Sequence, residues 1–141
     1  PRPDGSQAAR AMSAALESGG MVPEEIEYIS AHGSSTPLND STETRAIRSV
    51  LAERADEIPV TSTKPYHGHA LGASGAIEVG ITCLIMERGW IPPTLNFESP
   101  GEGCDLDYAP GPGRELRVSR ALSNSFGFGG INASLALAAY A

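Results

Sequence analysis

Residues 27–51, EYISAHGSSTPLNDSTETRAIRSVL, and residues 58–88, IPVTSTKPYHGHALGASGAIEVGITCLIMER, decide the fold, although no internal repeat is visible. In each, a short β-branched run gives way to a loop of Gly, Ser, Thr, Pro and His, and a helical pattern follows. Glu27 to Ala31 predicts a strand whose C-terminal end presents His32. Ile58 to Thr63 predicts a second strand, stopped at Lys64-Pro65 because proline cannot continue a ladder. Asp40 to Glu43 has capping-box spacing, and Ala46, Ile47, Val50 and Leu51 then form the apolar stripe of a helix. Ala73 to Arg88 is helical by length, with apolar residues nearly all round, which predicts burial on most sides between two layers.

On the N-terminal side, Ser6 to Leu16 carries apolar residues at helical spacing, and Gly19-Gly20 can take the left-handed conformation that stops a helix. On the C-terminal side, Trp90 to Gly113 reads as a Pro- and Gly-rich connection with little regular structure. Arg117 to Ser125 and Ser134 to Tyr140 read as two final strands joined by a tight turn from Phe126 to Asn132. The expected order is α-β-α-β-α-β-β. It predicts an α/β domain over residues 1–141, with a mostly parallel sheet covered by helices and an antiparallel last pair.

Forty per cent hydrophobic residues in 141 suffice for one core. A formal charge of −7, with no cluster of Lys or Arg, argues against nucleic acid as a partner. No uncharged apolar run is long enough to span a membrane, so no membrane association is expected. The start, Pro-Arg-Pro-Asp, reads as processed or excised. Cys83 falls in the apolar helix and reads as core, whereas Cys104 sits in a Gly/Asp loop. Their spacing fits neither a zinc site nor a disulfide framework, and a reducing, cytoplasmic compartment is expected.

All three histidines, His32, His67 and His69, follow predicted strands, where open α/β sheets gather ligand-binding groups. Each could also be an ordinary loop histidine. Lys64 is the only lysine, and Glu78 lies inside the most apolar helix, where an unpaired carboxylate would cost several kcal/mol or more. A buried Lys64–Glu78 pair is therefore expected, structural or functional, and its positive charge would favour neutral imidazole nearby. Ser125 to Gly130 (SFGFGG) could aim backbone N–H groups at an oxyanion or be a plain turn, and Phe126 and Phe128 add the option of an apolar gate.

Three segments together resemble the β-ketoacyl-acyl carrier protein synthases: AHGSSTPLND at 31–40, STKPYHGHALGASGAIE at 62–78 and NSFGFGGIN at 124–132. PPTLNFESP and GCDLDY extend the resemblance over nearly the whole chain. It implies the C-terminal half of a thiolase fold, with a mixed, five-stranded type of sheet. Two such α/β halves would pack into α-β-α-β-α layers, and the absent N-terminal half would supply the nucleophilic cysteine.

The resemblance implies that His32 and His69 donate to the thioester carbonyl of a malonyl unit and stabilise the enolate left by decarboxylation. Lys64 and Glu78 match the charged pair behind them. Ser34 and Thr36 match the hydroxyls that hold the phosphopantetheine arm of acyl carrier protein, with Ser34 standing where threonine is usual. Phe128 matches the gating phenylalanine whose N–H serves the acyl oxyanion hole, and Phe126 is expected at the substrate. No directly bound cofactor or metal is implied, His67 matches no family role, and a homodimer is expected. The isolated 141 residues are expected to be inactive. A non-catalytic partner subunit, like the chain-length factors, is the alternative, and a hydrolase holding a metal on His32, His67 and His69 is a third.

Overall fold

Tyr28 and Ile29 set the layering. Successive strand residues point to opposite faces of a sheet. Ile29 joins a cluster with Met12, Leu16, Ile47, Val60 and Leu122, while Tyr28 joins another with Ile85, Ile91, Val118 and Ala121. Ala121 and Leu122 in the neighbouring strand divide the same way. One sheet therefore separates two apolar cores, the larger faced by two α-helices and the smaller by one. The computed structural model describes residues 3–140, so Pro1, Arg2 and Ala141, the ends of the expected domain and the first two residues of the start that reads as processed, lie outside the described residues.

The helices are α1 (Ser6–Gly19), α2 (Pro37–Leu51), the single turn α3 (Lys64–His67) and α4 (Ser74–Arg88). The strands are β1 (Tyr28–Ser30), β2 (Val60–Thr61), β3 (Trp90–Ile91), β4 (Arg114–Glu115), β5 (Arg120–Phe126) and β6 (Asn132–Ala138). The main sheet has the order β2-β1-β5-β6. β1 is parallel to both neighbours, and β6 runs antiparallel to β5 from Phe126↔Asn132 to Arg120↔Ala138. Beside β2, a fifth position is occupied only by a parallel bridge, Pro59↔Asp107, with Val60 N–H donating to the Asp107 carbonyl at 2.8 Å. β1 and β2 end together, which brings the loops after Ser30 and Thr61 to one edge.

Four expectations change. Helix α2 starts at Pro37, with Thr36 as its cap: the Thr36 hydroxyl accepts from Asn39 N–H at 3.3 Å. Proline suits the first helical position, where no N–H is needed. The segment 90–113 is not wholly irregular, because Trp90 and Ile91 pair antiparallel with Glu115 and Arg114.

Helix α4 is not buried on most sides. The residues it buries are Ser74, Glu78, Thr82 and Ile85, a mostly polar stripe turned inward, while Ile77 and Leu84 are exposed. Cys83 lies on the exposed side, so it is not a core residue within this chain. An apolar surface of this kind, left uncovered beyond a polar inner stripe, calls for a further layer.

The fully buried Leu122 sits at the centre of the larger core. Leu122→Ala should lower the unfolding free energy by about 2–5 kcal/mol, read from urea denaturation.

Candidate functional site

His32 lies just past β1, and its loop is held by side chains from three directions. Its N–H donates to Glu43 Oε1 at 2.9 Å, and Gly33 N–H donates to Glu43 Oε2 at 3.0 Å. The His32 carbonyl accepts from the Lys64 ammonium, and the Gly33 carbonyl accepts from the Ser62 hydroxyl at 3.1 Å. Gly33 has φ 45°, and a Cβ there would fall 2.5 Å from Ser62 Cβ, so only glycine fits. The chain thus leaves the strand on one path, with the His32 ring buried.

His69 follows the α3 turn and is exposed. Its Nδ1 accepts from Leu71 N–H at 3.2 Å and lies 3.0 Å from Ser74 Oγ. An accepting Nδ1 leaves the neutral ring's proton on Nε2. The His32 and His69 rings stand edge to face, with centroids 5.4 Å apart and planes at 75°. Phe126 closes the other side of His32 at 5.8 Å.

The electrostatics keep His32 neutral. Burial is the largest cause, followed by the positive charges of Lys64 and His69, and together they push its pKa down to about 4. Lys64 and Glu78 form the buried pair expected from the sequence, 6 % and 1 % exposed. Glu78 Oε1 takes the ammonium, and Glu78 Oε2 has no hydrogen-bond partner among the described residues.

The remaining candidates are less tightly gathered. Ser34 Oγ and Thr36 Oγ1 lie 3.1 Å apart at the mouth of the loop. Phe128 is 92 % exposed, on a turn where Gly129 and Gly130 have φ 77° and 83°. It is Phe126 that meets His32. His67 turns away, with Nε2 3.1 Å from Thr63 Oγ1 and its buried Nδ1 unpartnered. Among the described residues no three His, Cys, Asp or Glu side chains are arranged to hold a metal ion.

A cleft of about 920 Å³ lies against the same loop, bordered by Ser35, Thr36, Asp40, Phe97, Cys104 and Tyr108, but neither His32 nor His69 lines it. Sequence reasoning missed Glu43 and Asn124. The capping-box spacing made Glu43 look like a helix-end residue, and its near-complete burial is a tertiary fact.

The chain matches the family model described as β-ketoacyl synthase, C-terminal domain, over residues 1–98. It is 53 % identical over 140 residues to a 3-oxoacyl-[acyl-carrier-protein] synthase 2 of Synechocystis sp., covering 99 % of this chain and 34 % of the relative. It is 45 % identical to the tetracenomycin polyketide synthase ketoacyl synthase alpha subunit of Streptomyces glaucescens, over 97 % of this chain and 32 % of that one. A solved type II PKS acyl-carrier protein in complex with its ketosynthase bound to the hexaketide matches with TM-score 0.95 and 42 % identity, covering 99 % of this chain and 34 % of that one. The architecture is that of the C-terminal half of a thiolase fold. The chain spans about a third of the length of these proteins.

Ring-carbon NMR should find His32 titrating near 4. The unfolded chain takes up this proton near 6.5, so between the two values the unfolded state holds more protons. The stability contributed by neutral His32 is full above that window and is lost as pH falls through it. Urea unfolding followed downward through this range should show the loss, and His32→Asn should flatten it.

Proposed function

This chain belongs to the β-ketoacyl synthase family as its C-terminal domain, and on that basis we propose that the intact protein extends acyl chains by two carbons. The reaction is decarboxylative Claisen condensation of an acyl thioester with malonyl-acyl carrier protein, serving fatty acid or polyketide synthesis. The carrying observation is the pair of imidazoles, one held neutral by burial and the other with its proton assigned to Nε2, with ring centroids 5.4 Å apart.

A cysteine of the N-terminal part holds the acyl group. The malonyl unit loses its carboxylate as carbon dioxide, and the bond's electron pair passes into an enolate. Its oxygen is stabilised by N–H donation from His32 and His69, because donors already in place cost no reorganisation as charge develops. The enolate carbon attacks the acyl carbonyl, a C–C bond forms, and the cysteine thiolate leaves.

Other chain residues serve this step. Lys64, itself paired with Glu78, holds the His32 carbonyl from behind. Ser34 and Thr36 hold the phosphopantetheine arm that delivers the substrate, and Phe126 packs at its reacting end. Phe128 gates the acyl side and lends its N–H to the acyl oxyanion hole. No cofactor of the protein's own is needed, since the carrier protein brings the reactive thioester.

The domain runs over 1–141, and the N-terminal half covers the α4 surface around Ile77 and Leu84. The protein works in the cytoplasm as a homodimer, with acyl carrier protein as its partner. A chain-length-factor-like subunit would have no use for two adjacent imidazoles, one of them held neutral, which favours the catalytic reading.

In the intact protein, His32→Ala and His69→Ala should each lower malonyl-thioester decarboxylation by about 100- to 1000-fold. Wild-type protein that leaves malonyl-thioester untouched would overturn the proposal.

A further inference from the structure

His69 is held differently from His32. Among the described residues every hydrogen bond of Gly68, His69 and Ala70 stays within residues 64–74. Downstream, the ring rests on Leu71 N–H and Ser74 Oγ at the start of α4. Upstream, the loop issues from α3, a single turn with few bonds of its own. Gly68 N–H donates to the Lys64 carbonyl at 2.7 Å and Tyr66 N–H to the Thr63 carbonyl at 3.0 Å, while Pro65 has no N–H to add. One turn of helix is marginal by itself.

Two side chains reinforce it. The Tyr66 hydroxyl donates to the Pro93 carbonyl at 2.8 Å, tying the outside of the turn to the segment after β3. His67 reaches back across the turn, with Nε2 3.1 Å from Oγ1 of the buried Thr63, so the link spans Lys64. Its Nδ1 is buried without a hydrogen-bond partner among the described residues, which is unfavourable. An apolar ring would avoid that penalty, so what imidazole adds at this position is the link to Thr63.

We infer that His67 is a positioning residue for His69: by closing the α3 turn on Thr63 it fixes where the chain enters Gly68, and hence where the His69 ring stands beside His32. Gly68 has φ 77°, so the chain turns sharply between the two histidines with no side chain there to steer it. Lys64, inside the turn, is held independently by Glu78 and the His32 carbonyl, so loss of the closure falls on the His69 side.

The inference rests on the proposed role of His69, and its test separates the two. In the intact protein, His67→Phe keeps an aromatic ring and removes the link. It should lower kcat for malonyl-thioester decarboxylation by about 10-fold, a part of the roughly 100-fold that a misplacement of about 1 Å brings. The KM should change little. Acylation of the N-terminal cysteine, which the proposed mechanism runs without His69, should keep its wild-type rate. The urea midpoint should stay near wild type, because an unpaired Nδ1 is exchanged for an unpaired Thr63 hydroxyl. His67→Gln, whose amide nitrogen lies as many bonds from the backbone as Nε2, should restore the rate.

The His69 ring resonances and the Leu71 amide should move in His67→Phe and return in His67→Gln, while the His32 amide, bonded to Glu43, stays in place. Thr63→Val removes the same link from its other end, so it should match His67→Phe, and the double variant should be no worse than either. Wild-type decarboxylation by His67→Phe, no rescue by His67→Gln, an additive double variant, or a loss with His69 unmoved would each overturn the inference. Should wild type itself decarboxylate nothing, the His69 resonances alone decide: movement supports positioning and its absence refutes it. If His67→Phe does not fold, Thr63→Val carries the same test.

Discussion

The buried ammonium of Lys64 is the interaction on which the rest depends. From the turn after β2 it reaches the carbonyl of His32 beyond β1 and the carboxylate of Glu78 in α4. Two strand ends and the helix across the sheet thus share one charge. Removing one partner of such a pair leaves a buried charge uncompensated, at a cost of about 3–5 kcal/mol. The same ammonium is one of the charges that keep His32 neutral, second to burial. It also accounts for the inverted face of α4: the sheet side carries Glu78 because the cation is there.

Much of this was legible in the residues. A lone lysine and a carboxylate amid apolar neighbours demanded each other, and the two strand–loop–helix units were marked by β-branched runs ending in Gly, Ser and Pro. What periodicity could not reach was direction. Asp40 to Glu43 has capping-box spacing, yet Thr36 and Pro37 begin the helix, and the Glu43 carboxylate is taken up by backbone N–H groups of the loop that precedes it. The apolar composition of helix α4 predicts burial on most sides, but a single chain covers only one side of it. The exposure of Cys83 follows from the same fact. β3 and β4, two residues each, are too short for any alternation to show.

The site reads as half of a larger one. The rings of His32 and His69 stand edge to face and His32 is held neutral, yet Phe128, Ile131 and Leu84 are exposed. Relatives are about three times as long. In the proposed reaction this domain supplies the donors and the electrostatics, and the remainder supplies the nucleophile and excludes water. Placing His32 on a strand-end loop gripped by Glu43, Lys64 and Ser62 gives that donor the rigidity that preorganised stabilisation requires.

The most direct test is a crystal structure of the intact protein with a non-hydrolysable malonyl-thioester analogue. The account predicts the analogue's thioester carbonyl oxygen within hydrogen-bond reach, about 2.7–3.2 Å, of ring nitrogens of both His32 and His69. An analogue bound in the same protein with its carbonyl turned away from both rings would contradict it.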